Sequence, residues 1–365
     1  MKSAKTYSNK AIKTIAIIAF ALLTQLTAFA NNTNNFAPIG ITLNGAEFGN
    51  NNLPGIYKKH YIYPTTEEIK YFATKGVKMI QLPVRWERLQ HTIGGELNAT
   101  ELQFITNFIK TCKTYQVDVI VTIQNYGRYK INNVEYPLGS KQVPYIAFRA
   151  FWKRLATNLK KYNNIYGYDL MAEPNNMGEN VWGNAAQEAI YGIREVDTTH
   201  TIIVDGNSFA CAEKWVEYSD ELKYLEDPNN NMMFDAHCYF DEDRSGTYTN
   251  GFTDGISTEI GVQKIAPFIN WLKKNNKRGY VGEFGIPKND ARWIPILDKF
   301  LNYIQQNGIG GCYWGAGQWW NNYSLSIEPL KGVDQPQMLV LNKYLKEQSS
   351  YAYNTPNNST KTAYP

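Results

Sequence analysis

The chain has 365 residues, 19% of them charged, with 37 Lys and Arg against 33 Asp and Glu and a formal net charge of +4. Lys2, Lys5, Lys10 and Lys13 all fall within the first thirty residues, which hold no acid, so residues 31–365 carry 33 charges of each sign. That balance removes the broad positive field that nucleic acid or an anionic membrane would require, and neither partner is expected.

The same lysines precede an apolar run, Ile15 to Leu23, and a small-x-small site, Ala28-Phe29-Ala30. This is the pattern of a signal peptide over residues 1–30, cleaved near Asn31, and it places the mature chain in the extracellular or periplasmic space. The run is broken by Thr24, Gln25 and Thr27 and is shorter than the ~20 residues of a membrane span, so no stable insertion follows cleavage. Cys112, Cys211, Cys238 and Cys312 are far apart with no Cys-x-x-Cys, which argues against a zinc site and a disulfide-dense scaffold. Cys238 and Cys312 fall in expected core strands, where a thiol packs as a small hydrophobe, although one bridge stays open in an exported protein. No metal and no cofactor are expected, and a monomer is.

The expected elements alternate. Ile39 to Leu43 is a strand, Thr65-Thr66-Glu67-Glu68 starts a helix, and Val77 to Leu82 is a strand stopped by Pro83. Asn98-Ala99-Thr100-Glu101 opens a helix with apolar Leu102, Ile105, Phe108 and Ile109 on one face. Asp118 to Ile123 is a strand, Pro144 to Tyr162 a helix with its proline in the first turn, and Ile165 to Met171 a strand. Gln187 to Ile193 is helical, followed by strands at Thr201 to Val204 and Met232 to Cys238. Helix Ile260 to Lys274, strand Tyr280 to Glu283, helix Ala291 to Gln305, strand Gly310 to Trp314 and helix Met338 to Leu345 complete the series. The tail 349–365 is rich in Asn, Ser, Thr, Tyr and Pro and is expected to be disordered.

Eight apolar strands alternating with helices over residues 31–348 describe an α/β fold, a single (β/α)8 TIM barrel. A doubly wound open sheet usually has a Gly-rich phosphate turn after its first strand, and Asn44-Gly45-Ala46-Glu47 is not one.

Two strands end in a carboxylate. Glu173 follows Ile165 to Met171, with Pro174 closing the ladder, and Glu283 closes the strand beginning at Tyr280. Strand C-terminal ends are where such barrels keep their chemistry, and a pair of carboxyls there suggests a glycosidase acid/base and nucleophile. Tyr239 can hydrogen-bond a nucleophile and hold it ionised, while His237 can bias an acid. Trp314, Trp319, Trp320 and Trp86 can offer apolar ring faces to sugars. No Gly-x-Ser-x-Gly elbow, His-Glu-x-x-His or phosphate loop is present. Asp241-Glu242-Asp243 is expected to be a solvated loop.

The chain resembles the glycoside hydrolase family 5 cellulases of clan A, especially the branch with fungal endo-β-1,4-glucanases. The stretches that carry the resemblance are Gly40-Ile41-Thr42-Leu43, Trp86-Glu87-Arg88-Leu89-Gln90, Asn125-Tyr126-Gly127-Arg128-Tyr129, Glu173-Pro174, Asp205-Gly206-Asn207, His237-Cys238-Tyr239, Gly282-Glu283-Phe284-Gly285 and Trp314-Gly315-Ala316-Gly317-Gln318-Trp319-Trp320. The resemblance implies a secreted retaining enzyme that cleaves internal β-1,4 bonds of a β-glucan, with mannan, xylan and mixed-linkage glucan open. It gives Glu173 the acid/base role, Glu283 the nucleophile role and His237 and Tyr239 supporting roles. Trp314 becomes a sugar platform, and Asn125, Tyr126, Trp86, Trp319 and Trp320 are candidate substrate contacts.

Three positions depart from the family pattern. Gln81 stands where the family has Arg, Gln124 where it has His, and Ala172 where it has Asn before the acid/base. Loss of the Arg removes a cation that favours an ionised Glu283, for which Arg85 or Arg128 are possible substitutes. Loss of the Asn removes a donor to the sugar 2-hydroxyl. A barrel turned carbohydrate-binding protein is therefore the alternative to a hydrolase with an altered subsite.

Overall fold

The computed structural model describes residues 38–349, so the expected signal peptide and the tail from residue 350 lie outside the described residues. Eight strands close a parallel barrel in the order β1-β10-β9-β8-β7-β6-β3-β2. They are β1 (Ile39–Leu43), β2 (Met79–Val84), β3 (Asp118–Ile123), β6 (Ile165–Asp169), β7 (Thr201–Asp205), β8 (Met232–His237), β9 (Gly279–Phe284) and β10 (Gly310–Ala316). The remaining two strands, β4 (Arg128–Ile131) and β5 (Val134–Pro137), form a separate hairpin after β3.

The helices begin where local chemistry satisfies their free N–H groups. α1 (Thr66–Thr74) starts on a capping box, in which Thr65 accepts from the Glu68 backbone and Glu68 reaches back to the Thr65 backbone. Asn98 caps α3 (Ala99–Thr114) through the Glu101 N–H, after the short α2 (Trp86–Leu89). Then come α4 (Tyr145–Leu159), α5 (Val181–Arg194), the short α6 (Trp215–Ser219), α7 (Ile260–Lys274), α8 (Ile294–Gln306) and α9 (Met338–Ser349). Each long helix lays an apolar stripe on the barrel, as Phe148, Phe151, Trp152, Leu155 and Leu159 of α4 do, all fully buried. Burying rings of this size contributes about 1.5–3 kcal/mol each relative to leaving them in water.

Pro83 does not stop the second strand. β2 runs on to Val84, and its pairing with β3 continues through Val84–Ile123. The ladder to β1 is recorded only as far as Thr42–Gln81, so the missing proline N–H costs no bond on that side. The strand expected to reach Met171 ends at Asp169, although Leu170 and Ala172 still donate to Ile203 and Ile123. The hairpin escaped the sequence reading; its turn residues Asn132 and Asn133 both have positive φ, 50° and 64°, as a two-residue hairpin turn of this hand requires. All four cysteines are free thiols, so the possible bridge does not form. No helix among the described residues is long and apolar enough to cross a membrane.

Candidate active site

The strand C-termini converge on Glu173, His237, Tyr239 and Glu283. Glu173 leaves the barrel just past β6 with a φ of +57°, a backbone region that is uncommon for a residue with a side chain. Its N–H is held there by Asp205 Oδ2 at 2.9 Å, from the end of β7. Its carboxyl Oε1 meets His237 Nδ1 at 2.8 Å. On the neighbouring strand His237 and Glu283 are register partners, and Nδ1 also lies 3.5 Å from Glu283 Oε2. The Tyr239 hydroxyl donates to the same Oε2 at 2.7 Å. Gly246 lies flat against the Tyr239 ring, where an added Cβ would come within 2.8 Å, and this packing fixes the hydroxyl's aim.

Ligating atoms of Glu173, His237 and Glu283 all fall within 4.8 Å of one another. A hydrogen bond joins His237 to Glu173, and Glu283 is held by Tyr239. Burial pushes the Glu173 carboxyl up to about 8. Burial and the neighbouring Glu173 carboxyl also raise Glu283, to about 7, opposed by the nearby His237 ring, the Gln124 amide and the hydrogen bond from Tyr239. Burial lowers His237 from its ordinary value, so the imidazole is biased toward its neutral form. Both carboxyls are raised by burial, and Glu283 alone has a hydroxyl, from Tyr239, that favours its ionised form.

A cavity of about 530 Å³ opens beside these groups, lined among others by Tyr126, Glu173, Phe209, His237, Tyr239 and Lys264. Across the site Trp314 is nearly buried at 9% exposure, with its ring edge-on to Trp320, which in turn stacks on Tyr323.

Comparison with known proteins fits this geometry. The family profile for Cellulase (glycosyl hydrolase family 5) matches residues 41–323. The chain belongs to glycosyl hydrolase family 5. It is 34% identical over 316 residues to a probable endo-β-1,4-glucanase B of Aspergillus oryzae, covering 85% of this chain and 91% of that one. It is 31% identical to endo-β-1,4-glucanase B of Emericella nidulans, covering 83% and 90%. Among solved structures it is similar to Pseudomonas stutzeri endoglucanase Cel5A in complex with cellobiose, at 34% identity and a TM-score of 0.80, covering 86% of this chain and 94% of that one. The endo-β-1,4-glucanase Xac0029 of Xanthomonas axonopodis pv. citri matches at 33% identity and a TM-score of 0.79, covering 85% and 98%. The chain is thus a family 5 glycosidase on a (β/α)8 barrel.

Within this family 5 site the three departures differ in kind. Gln124 faces the chemistry: its side chain is 2% exposed and lies beside both Glu283 and Tyr126, where it favours the ionised form of each. Gln81 is fully buried in β2, and neither of its side-chain polar atoms has a hydrogen-bond partner among the described residues. Ala172 is also fully buried and acts through its backbone, accepting from the Tyr126 N–H at 3.1 Å. Neither candidate arginine replaces the missing cation. Arg85 turns to the carbonyls of Glu47 and Gln124, and Arg128 to those of Tyr126 and Asn175. The basic side chain that does approach Glu283 is His237, whose Nδ1 lies 3.5 Å from Oε2 on a ring that burial biases to its neutral form.

Trp86 and Asn125, expected as substrate contacts, are engaged inside the fold. α2 turns the Trp86 ring inward, where it is fully buried against Tyr129, Phe148 and Phe151 with its N–H on Gln90. Asn125 is 4% exposed and bridges the Trp86 N–H and the Glu87 carboxyl, which braces the loop that presents Tyr126. Trp320 stacks on Tyr323 and donates to Asn44, so it buttresses Trp314, while Trp319 sits half-buried in the turn beside it.

Three residues at the site escaped the sequence reading. Tyr323 stacks on Trp320 behind Trp314, but no pattern in its loop marked it as part of a catalytic site. Phe209 is 49% exposed on the cavity wall, in a run of three left-handed residues, Ser208, Phe209 and Ala210. Three such residues in succession are strained, and strain of this kind concentrates at ligand sites. The third is Asp205, noted only within a resembling stretch. The Asp241-Glu242-Asp243 run is a loop in which Asp241 caps the backbone of Gly246 and Tyr248.

Proposed function

We propose that this chain is an exported, retaining endo-β-1,4-glucanase in which Glu173 is the acid/base and Glu283 the nucleophile. The observation that supports this best is the approach of the two carboxyls. Oxygens from both lie within 4.8 Å of each other. Retaining glycosidases hold their carboxyls about 5–5.5 Å apart, whereas inverting ones leave room for a water at about 6.5–9.5 Å.

The mechanism follows from the neighbours. Glu283, favoured in its ionised form by Tyr239 and Gln124, attacks the anomeric carbon as Glu173 gives its proton to the leaving oxygen. The glycosyl–Glu283 ester is then hydrolysed by a water that Glu173, now a carboxylate, deprotonates. Trp314 offers its face beneath the sugar that bonds Glu283. The family's side-chain donor beside the acid/base is missing at Ala172, and removing a preorganised donor typically costs about 10²–10³ in rate. The site keeps the carboxyl pair and replaces other polar contacts, a pattern that favours altered sugar tolerance over loss of chemistry. A β-glucan is the preferred substrate by likeness to the named relatives. Export rests on the lysines and apolar run of residues 1–30.

The test is release of reducing ends by the full chain from barley β-glucan, carboxymethylcellulose, mannan and xylan. Activity highest on a glucan supports the assignment. Activity confined to mannan or xylan corrects the substrate, and none on any glycan overturns the proposal.

A further inference from the structure

Beneath the catalytic pair the barrel interior holds three aspartates, Asp169, Asp205 and Asp235, from the adjacent strands β6, β7 and β8. Each is at most 1% exposed. Three carboxyls packed this tightly, away from water, cannot all be ionised. Asp205 and Asp169 are neighbouring carboxyls, and burial raises both, with the Asp169 charge adding to the rise of Asp205. Asp235 accepts from the Gly282 backbone N–H, at a glycine whose Cβ would fall 2.2 Å from the carboxyl.

The oxygen of Asp205 that matters to the reaction is Oδ2. It accepts the Glu173 N–H at 2.9 Å and lies 3.5 Å from His237 Nε2. Nε2 is buried and makes no hydrogen bond among the described residues, so the Asp205 oxygen 3.5 Å away is the polar atom it faces. A carboxyl oxygen that already serves as an acceptor favours a proton on the imidazole nitrogen facing it. A neutral imidazole has only one such proton, so the opposite nitrogen, Nδ1, presents a lone pair to Glu173 Oε1.

We propose that Asp205 is a positioning residue for the acid/base: through Oδ2 it fixes the Glu173 backbone and holds His237 in its Nε2–H tautomer. The inference rests on the assignment of Glu173 as acid/base. Its consequence is that Nδ1 accepts the O–H of the protonated Glu173 and favours the acid form until a leaving oxygen takes the proton. Once that proton has gone, the Glu173 carboxylate faces a lone pair, which keeps it a strong base for the water step. The groups facing His237 are Asp205 from β7, Asp235 from its own strand, Asp169 from β6, Glu283 from β9, and Glu173. None is a fixed cation.

Because Oδ2 acts as an acceptor and not as a charge, Asn preserves the role and Ala removes it. Asp205→Asn is expected to keep wild-type kinetics within about threefold, and Asp205→Ala to slow glucan hydrolysis about 10²-fold, as loss of acid catalysis does. The same Ala variant is expected to cleave 2,4-dinitrophenyl β-cellobioside almost normally, since that leaving group departs without protonation, and the alkaline limb of its kcat/KM profile on glucan moves to lower pH. A merely structural role slows both substrates alike and leaves the limb in place, and that outcome overturns the inference. Should Asp205→Ala fail to fold, ¹⁵N NMR of the histidine ring nitrogens in the wild-type chain decides the matter. The His237 signals, identified by their loss in His237→Asn, are expected to show a protonated Nε2 and a bare Nδ1. The reverse pattern refutes the proposal. Failure of the functional assignment itself is separable, because it appears as an inactive wild-type chain whose tautomer can still be read.

Discussion

The Tyr239 hydroxyl donates to Glu283 Oε2 at 2.7 Å. The Gln124 amide, at a position that departs from the family pattern, lies beside the same carboxyl. Both favour the ionised form of the proposed nucleophile and oppose the burial that raises it.

Replacing Gln124 with Leu removes that donor without opening a large cavity. The acid limb of kcat/KM is expected to move to higher pH, and kcat to fall by about 10²-fold, near the low end for a lost preorganised donor. An unchanged pH profile would show that the amide does not support the ionised nucleophile.

The two carboxyls predict a narrow bell. Activity should rise as Glu283 ionises near pH 7 and fall as Glu173 deprotonates near pH 8. Initial rates on a soluble glucan from pH 5 to 10 check both limbs.

Stability should follow the same groups, with a sense opposite to activity on the acid side. Both carboxyls bind protons more tightly folded than unfolded, with ordinary values near 4.5. Through that window the native state holds more protons, so their contribution is complete below pH 4.5 and lost as pH rises through about 7 and 8. The melting temperature of Glu173→Gln, compared with wild type, should therefore fall less steeply between pH 5 and 9.

Much of this barrel was legible in the sequence because parallel strands buried on both faces read as apolar runs, and β1 and β3 fall where those runs do. The carboxyls were legible because each closes such a run. Side-chain direction was not. Trp86 sits just after a strand end, as Glu173 does, yet the turn into α2 sends its ring into the core. Pro83 misled because a proline's cost depends on which neighbour its missing N–H faces, a property of the barrel and not of the local sequence. The left-handed run at Ser208 to Ala210 has no glycine to announce it.

Trp86→Ala is accordingly a stability variant. It should cost about 3–5 kcal/mol, as loss of a large buried ring does. Thermal unfolding should show that loss, while KM for β-glucan in the remaining folded protein stays the same.

Phe209→Ala should do the reverse. Its ring is half-exposed on the cavity wall, so the melting temperature should barely change and KM for cello-oligosaccharides should rise several-fold, about 1 kcal/mol of lost stacking. Oligosaccharide kinetics with calorimetry separate the two variants.

The most direct test of the account traps the glycosyl-enzyme intermediate. The full chain is incubated with 2,4-dinitrophenyl 2-deoxy-2-fluoro-β-cellobioside, digested, and mapped by mass spectrometry. A single fluorocellobiosyl ester on Glu283, formed with a burst of dinitrophenol, is the predicted result. Steady turnover of the wild type on glucan with no ester, or with the ester on another residue, would contradict the assignment of Glu283 as nucleophile.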